Sequence, residues 1–247
     1  MTIAITEIVK RSEQGVTLPF LCRTANGTGW FVKGVVGAGA EALRAEWICG
    51  KLAKALRLPI PAFAIAEVDE MLVAMSAVDG VHELGRRYAF GSQAIEGAQE
   101  ITFTQALTLP LELRARVLLF DWWIRNEDRI LGAKGGNPNL LTTGSASPEP
   151  WLIDHHTAFD RAFQPERFWS NHIFADARGV WTTAWRKRET KRLNAAAKML
   201  AAAWDAMPEA WFPEGDSNSS TSVLEHKRIA EILLRPIDAP AEFWNIP

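Results

Sequence analysis

One stretch of this chain restricts its fold more than any other, because its polar residues stand at fixed places among apolar runs. Residues 111–126 are rich in apolar side chains and follow Pro110, which is favoured at a helix start, so they predict a long helix. A polar loop comes next. Two short apolar runs, residues 140–141 and 151–153, then predict two strands. The polar residues of this stretch therefore lie at the ends of a helix and of two strands.

Three polar side chains in this stretch suit phosphoryl transfer. Asp128, in the loop, can orient an attacking hydroxyl or accept its proton. Asn139 precedes the first strand and Asp154 follows the second, and their oxygens are ligands that Mg²⁺ accepts. Asn137 is close enough in sequence to be a rival of Asn139. An acid, an amide and a second acid in this order are the polar groups of a kinase active site.

The first part of the sequence predicts a strand-rich half with one strong helix. Asn26-Gly27 is a favoured hairpin turn, because both residues tolerate positive φ. Residues 41–56 carry an apolar stripe at helical spacing and predict the helix. The predicted strands of the hairpin and of a second pair cover residues 18–23, 29–33, 63–68 and 71–75. The later part of the chain is predicted to be mostly helical.

A lysine and a glutamate in this first part supply two further groups of such a site. Lys33 ends a predicted strand, where its ammonium can bind phosphate oxygens. Glu46 lies beside the apolar stripe of the predicted helix and can pair with Lys33. Glu41 is the competing partner, but it falls on a different part of the helix surface.

The composition allows a globular enzyme. The 247 residues are enough for one domain of two lobes or for two small domains. Hydrophobic residues make up 48% of the chain and charged residues 23%, which is ordinary for a globular protein. The net charge of −2 gives no general attraction to nucleic acid or to anionic lipid.

The sequence shows no targeting or membrane-spanning segment. No apolar run approaches the roughly 20 residues of a membrane helix, and the apolar N-terminal run is too short for a signal peptide. Cys22 and Cys49 form no close-spaced metal motif, and a reducing compartment suits them better than a disulfide. We therefore expect a cytoplasmic protein.

Two other chemistries fit the sequence less well. A zinc site would draw on Asp154, His155, His156 and His172. These residues lack the spacing of known zinc motifs such as H-E-x-x-H. A Ser/His/Asp hydrolase is disfavoured because the chain has no G-x-S-x-G turn to present a nucleophilic serine.

Short motifs between about positions 30 and 160 form a wider pattern. They are FVKG at 31–34, EWI at 46–48, LRLPIP at 56–61, FGS at 90–92, DWWIRNEDR at 121–129, GNPNLL at 136–141 and LIDH at 152–155. This pattern resembles the HipA-like kinases, bacterial relatives of the HipA toxin kinases, and is more distantly similar to the phosphatidylinositol kinases.

The resemblance implies a two-lobed, protein-kinase-like α+β fold, with a strand-rich N-lobe over residues 1–80 and a helical C-lobe over residues 81–247. ATP and Mg²⁺ are expected in the cleft between the lobes, and the γ-phosphoryl group would pass to a hydroxyl, that of Ser or Thr on a protein. The implied roles are catalysis for Asp128, nucleotide binding for Lys33 and Glu46, and metal binding for Asn139 and Asp154.

The spacing of two candidate site residues departs from the family pattern. Asp128 and Asn139 stand eleven positions apart, whereas in most relatives the two residues lie much closer together. Residues 130–135 resemble an insertion, so the choice between Asn137 and Asn139 stays open. Two alternative functions also stay open: a pseudokinase that acts as an interaction module, and a kinase for small molecules or lipids.

Overall fold

The computed structural model describes residues 1–12, 18–85, 87–132, 135–144 and 149–245. The chain forms two compact units, each made of three segments. The first comprises Met1–Trp47, Pro61–Ile95 and Ala206–Val223, and the second comprises Ile48–Ile60, Glu96–Asp205 and Leu224–Pro247. The predicted division into lobes at residue 80 stays a prediction.

A six-stranded sheet is the main element of the first unit. Its strands are β1 (Thr2–Ile5), β2 (Glu7–Arg11), β3 (Phe20–Arg23), β4 (Gly29–Lys33), β5 (Phe63–Val68) and β6 (Arg87–Gln93). They pair in the order β1-β5-β6-β4-β3-β2, with β1 and β5 parallel and the other pairs antiparallel. The predicted hairpin is confirmed as β3–β4, in which Phe20 stands opposite Val32. Ile5, Cys22 and Val32 are buried in the core of this unit.

Three helices accompany the sheet: α1 (Val35–Ala38), α2 (Ala40–Ala55) and α3 (Glu70–Met75). Helix α2 confirms the helix predicted from the apolar stripe, and its part up to Trp47 belongs to this unit. The strand predicted over residues 71–75 is wrong, because these residues form α3. The Asp69 carboxylate accepts a hydrogen bond from the Met71 N–H at 2.7 Å and so caps the start of the helix.

One segment of the first unit comes from far along the chain. The Trp211 indole donates a hydrogen bond to the carbonyl oxygen of Tyr88 in β6, 123 residues earlier, at 3.1 Å. Its ring also packs edge-on against Trp47, with ring centroids 6.3 Å apart. Arg44 in α2 donates to the carbonyl oxygen of Trp211. A late segment therefore packs against both β6 and α2.

Helices dominate the second unit. They are α4 (Phe103–Thr108), α5 (Leu111–Ile124), α6 (Pro165–Asn171), α7 (Thr183–Ala197), α8 (Met199–Asp205), α9 (Ser220–Asp238), which belongs to this unit from Leu224 onward, and α10 (Pro240–Trp244). Helix α5 confirms the long predicted helix and is buried from Val117 to its end. Its two adjacent indoles satisfy their N–H groups internally, since Trp122 donates to Phe243 O at 3.0 Å and Trp123 donates to Leu233 O at 2.9 Å. No helix among the described residues has the length and apolar character needed to cross a bilayer.

The second unit also contains several short strands. The strands of this unit are β7 (Gln99–Glu100), β8 (Ile130–Gly132), β9 (Gly135–Asn137), β10 (Leu140–Thr143) and β11 (Glu149–Leu152). Strands β10 and β11 pair antiparallel, with β7 on the other side of β10, which confirms the two short strands predicted here. Strands β8 and β9 form a hairpin over the predicted insertion, of which residues 133–134 lie outside the described residues.

Gly34 is required by close packing rather than by its backbone angles. A Cβ at position 34 would lie 2.1 Å from Leu84 Cα and 2.3 Å from Leu84 O, both of them backbone atoms. We expect Gly34→Ala to lower the free energy of unfolding by about 1–3 kcal/mol, because the overlap can be relieved only by moving the backbone. Urea unfolding measures the change.

Gly179→Ala is the matched control for Gly34→Ala, since no heavy atom lies within 4 Å of a Cβ at position 179. The control should unfold close to the wild-type midpoint. Equal midpoints for the two variants would contradict the packing role of Gly34.

Candidate active site

A buried ion pair joins the two predicted nucleotide-binding residues of the first unit. Lys33 is the last residue of β4, and its Nζ lies 2.6 Å from Oε1 of Glu46 in α2. Their side chains are only 10% and 5% exposed. Glu41, the competing partner, is exposed. The predicted pairing of Lys33 with Glu46 is therefore present. Because the pair is buried, its two side chains have fewer arrangements open to them than those of an exposed surface pair.

The pairing of β10 and β11 brings the two predicted metal ligands to the same end of one strand pair in the second unit. Leu140 stands opposite Leu152 in the antiparallel ladder. One residue further out, the Ile153 N–H donates to the carbonyl oxygen of Asn139 at 3.1 Å. Asn139 precedes β10 and Asp154 follows β11, so both emerge at the same end of this strand pair.

The Asp128 carboxylate accepts hydrogen bonds from two amides. Its Oδ2 lies 3.0 Å from Nδ2 of Asn139 and 2.9 Å from Nδ2 of Asn137. Asn139 Nδ2 also lies 3.2 Å from the backbone oxygen of Asp128. An amide that donates through its nitrogen keeps its carbonyl oxygen for another partner, such as a cation. The structure thus brings Asp128 together with both of the rival asparagines.

A second ion pair, fully buried, fixes the loop that carries Asp128. Arg129 Nε lies 2.7 Å from Oδ2 of Asp121 in α5, and both side chains are 0% exposed. The guanidinium also donates through Nη1 to the carbonyl oxygens of Pro138 and Asn139, the latter in a short contact. Its Nη2 lies 3.3 Å from His155 Nε2. Arg129 therefore links α5 to the backbone just before β10 and to the His155 side chain just after β11.

The Asp121 carboxylate has two further donors. Asn126 Nδ2 donates to its Oδ1 at 2.9 Å, and His172 Nε2 lies 3.0 Å from its Oδ2. The Phe174 N–H donates to His172 Nδ1 at 3.1 Å, so the ring proton of a neutral His172 is on Nε2. Asp121 thus accepts hydrogen bonds from Asn126 and Arg129 of the loop after α5 and from His172.

The charge states of this network follow from its contacts. Burial raises the pKa of the Asp121 carboxyl, but the charge of Arg129 and the hydrogen bond from His172 outweigh burial and hold the pKa well below its usual range. Burial lowers the pKa of His172, and the opposing effect of Asp121 does not restore it. Asp121 is therefore ionised and His172 neutral at neutral pH.

Strained backbone marks the same region. Of the seven described non-glycine residues with positive φ, four lie on or beside this network. They are Arg125 (φ 54°), Asn139 (φ 46°), Asp154 (φ 57°) and Phe159 (φ 62°). Each such residue costs of order 1–3 kcal/mol and persists only where surrounding contacts determine it, which is typical of functional sites.

The side chains of Asn139 and Asp154 fit magnesium. Amide and carboxylate oxygens are hard ligands, and Mg²⁺ commonly binds one or two such groups together with waters and phosphate oxygens. Asp154 Oδ1 also lies 2.5 Å from Nδ1 of His156, so a cation would share this carboxylate with the histidine. In the described ranges, no three His, Cys, Asp or Glu side chains are grouped to hold a metal by themselves, as a zinc site would require.

The fold is similar to that of a solved kinase. The crystal structure of the Helicobacter pylori proinflammatory kinase CtkA matches with a TM-score of 0.55 and 11% identity, covering 94% of this chain and 92% of that one. The Golgi casein kinase, solved with Mn and ADP bound, matches with a TM-score of 0.48 and 11% identity, covering 94% and 72%. A comparison with curated proteins finds no match. The first likeness confirms the predicted protein-kinase-like α+β fold.

The sequence itself matches the HipA-like kinase family over residues 5–247. The chain therefore belongs to the HipA-like kinase family. The resemblance inferred from the short motifs is confirmed, and so is the prediction that the protein is a kinase.

Most of the buried network is not predicted by the sequence pattern. Arg129, Asn126 and His172 were not predicted to bind one carboxylate, although the first two stand within the DWWIRNEDR motif. An acid inside a strongly apolar helix is the signal that could have found them, because a fully buried carboxylate needs several donors. His172 carries no comparable signal, since it lies 51 residues from Asp121.

Because His172 is buried and neutral in the network around Asp121, we expect the free energy of unfolding to fall in mild acid. Because the pKa of His172 is lowered on folding, the unfolded chain binds a proton that the folded chain does not, below the ordinary histidine pKa of about 6.5. The contribution of His172 to the free energy of unfolding is thus complete above that pH and decreases as the pH falls below it. We expect His172→Gln to remove up to about 1.4 kcal/mol per pH unit from the slope of unfolding free energy between pH 6.5 and 5.

Urea unfolding at several pH values measures the slope. His82→Gln is the control, because His82 lies in the first unit and is not part of the network. A wild-type slope retained in His172→Gln would contradict the neutral, buried state of His172.

Proposed function

We propose that the protein is an ATP- and Mg²⁺-dependent phosphotransferase that transfers the γ-phosphoryl group to a hydroxyl, that of Ser or Thr on a protein. One observation carries the proposal: Asp128 is hydrogen-bonded to Asn139, and Asn139 and Asp154 flank the same end of the β10–β11 pair. A proton acceptor and two hard metal ligands are thus adjacent, as phosphoryl transfer requires.

In this proposal Asp128 orients the acceptor hydroxyl and takes its proton in the transition state. The hydrogen bonds from Asn137 and Asn139 hold its carboxylate in place. Lys33 binds phosphate oxygens as a compact cation, and the ion pair with Glu46 orients its ammonium group. When bound, Mg²⁺ would neutralise charge on the phosphates, with Asn139 and Asp154 as its protein ligands.

Three features favour Asn139 over Asn137 as the metal ligand. The backbone of Asn139 is fixed by Arg129 and Ile153, which both donate to its carbonyl oxygen. Its side chain is buried, at 5% exposure, and donates twice to Asp128, so its amide oxygen faces away from that residue. Asn137 instead lies at the end of β9 in the inserted hairpin. We assign it the positioning of Asp128.

The proposal also includes the class of acceptor and the cellular location. Family membership fits a protein acceptor, while a small-molecule or lipid acceptor is the alternative that substrate trials would reveal. A cytoplasmic location agrees with the cysteines of the described chain, since Cys22 and Cys49 are both buried and no disulfide joins them. Burial raises the pKa of Cys22 to about 12, so its thiol stays protonated.

Nucleotide binding is the first test. At a ligand concentration ten times Kd, binding stabilises the folded state by about 1.4 kcal/mol, or roughly 3–6 °C in melting temperature for a chain of this size. We expect ATP with Mg²⁺ to give such a shift in a thermal melt. Lys33→Ala and Asp154→Ala should each lose most of it relative to the same variant without ligand.

Lys54→Ala is the control, because Lys54 is an exposed lysine of α2. It should keep the full shift. If the wild type shows no shift at millimolar ATP and Mg²⁺, the proposed phosphotransferase gives way to an interaction module.

The chemical step is the second test. Asp128→Asn should lower phosphotransfer at least about 100-fold and leave ATP affinity near wild type, because the lost interaction acts mainly in the transition state. Asn139→Ala should raise the Mg²⁺ concentration needed for half-maximal rate. Asn137→Ala should lower kcat without changing that concentration. Transfer of labelled γ-phosphate to proteins of a cell lysate measures each rate.

Asp205→Asn serves as the control for the loss of one exposed carboxylate. Full activity in Asp128→Asn would refute the catalytic assignment. If Asn137→Ala rather than Asn139→Ala changes the Mg²⁺ requirement, the roles of the two asparagines are exchanged.

A further inference from the structure

Arginines gather at the C-terminal end of α5. Arg125 follows the last residue of the helix, Ile124, in the left-handed conformation. Arg235 of α9 donates through Nη2 to the carbonyl oxygens of Trp122 and Trp123, at 3.0 and 2.8 Å. These bonds satisfy carbonyls that the end of a helix leaves open.

A third arginine reaches the same place. Arg228 Nη1 donates to the carbonyl oxygen of Phe159 at 2.6 Å, and the Phe159 N–H donates to the carbonyl oxygen of Ile124 at 2.7 Å. Arg228 and Arg235 are two turns apart on α9, so they project from the same face of that helix. Arg125, Arg228 and Arg235, here called the arginine cluster, thus surround one helix end.

Carboxylates among the described residues do not offset the positive charge of Arg125 and Arg235. In the described part of the chain, neither Arg125 nor Arg235 forms an ion pair with a carboxylate. The helix end supplies only about half a negative charge. Burial, and then the charge of Arg228, lowers the pKa of Arg125. Burial, and then the charge of Arg125, lowers the pKa of Arg235 to about 9. The arginines therefore repel one another.

Arg125 has capacity left for a ligand. Its Nε is buried and has no hydrogen-bond partner among the described residues. The residue as a whole is half-buried, so part of it faces solvent. A planar guanidinium with open donors and excess positive charge beside it is suited to bind a tetrahedral oxyanion through paired N–H groups.

We propose that the arginine cluster binds a phosphate-class oxyanion, either free phosphate or the phosphoryl group of a phosphorylated side chain, with Arg125 as the main ligand. Nothing in this site depends on ATP binding or on the role of Asp128. The occupant would lie at the start of the loop that carries Asp128, next to Asn126, whose side chain accepts a hydrogen bond from Thr157 Oγ1 at 2.8 Å. Such an anion would relieve the repulsion and order the entry to that loop.

Isothermal titration calorimetry without nucleotide tests the proposal. The probes are inorganic phosphate and O-phospho-L-serine at constant ionic strength, with L-serine as the blank. We expect saturable binding of at least one phosphate probe to the wild type, and the tighter probe identifies the source of the oxyanion. Arg125→Gln should weaken that binding at least about tenfold, because a charge-assisted fork is lost.

Two variants make the result specific. Arg161→Gln removes an exposed arginine of the same unit and should bind as the wild type does. Lys33→Ala should also bind normally, which separates this site from the proposed nucleotide site. The proposal is overturned if no phosphate probe binds the wild type below about 10 mM, if Arg125→Gln binds normally, or if Lys33→Ala abolishes the binding.

A second measurement, of arginine labelling, uses the wild-type protein alone. Phenylglyoxal labels accessible arginines, and mass spectrometry reports the extent at each position. Phosphate should slow the labelling of Arg125 several-fold and leave that of Arg161 unchanged. Equal protection of both arginines, or none at Arg125, would refute the site.

Discussion

The buried ion pair between Asp121 and Arg129 is the interaction on which the polar loop of the second unit depends. Removing one member of such a pair costs about 3–5 kcal/mol, because the other charge is left alone in a medium of low dielectric constant. Hydrogen bonds from His172 and Asn126 satisfy the acid, and the guanidinium donates onward to the Asn139 carbonyl oxygen. A charge pair inside the fold thus determines where the backbone of a candidate metal ligand lies.

The candidate functional residues of each unit are positioned by different means. In the first unit, Lys33 and Glu46 stand on a strand and a helix, so regular hydrogen bonding fixes their backbones. In the second unit, Asp128, Asn139 and Asp154 stand on loops, two of them with positive φ. Loop backbone of this kind keeps one conformation only if other contacts determine it, and the buried network supplies those contacts.

Much of this arrangement could be predicted from local signals. The Asn26-Gly27 turn fixes a hairpin, and two short apolar runs place Asn139 and Asp154 at strand ends. The prediction of a strand over residues 71–75 was wrong because a short apolar run fits either a strand or a helix. The Asp69 side chain caps the start of this segment and so favours the helix. The bond between Asp121 and His172 could not be predicted, since the two residues are 51 positions apart and meet only after the chain has folded back on itself.

The late segment of the first unit has a consequence for synthesis on the ribosome. The indole of Trp211 is bound to Tyr88, and its carbonyl oxygen to Arg44, so this unit includes residues translated long after its sheet. A ribosome that adds about 5–20 residues per second needs several seconds to make the intervening chain. During that interval the faces of α2 and β6 that Trp211 covers have no final partner, and the nascent chain must stay folded or protected without it.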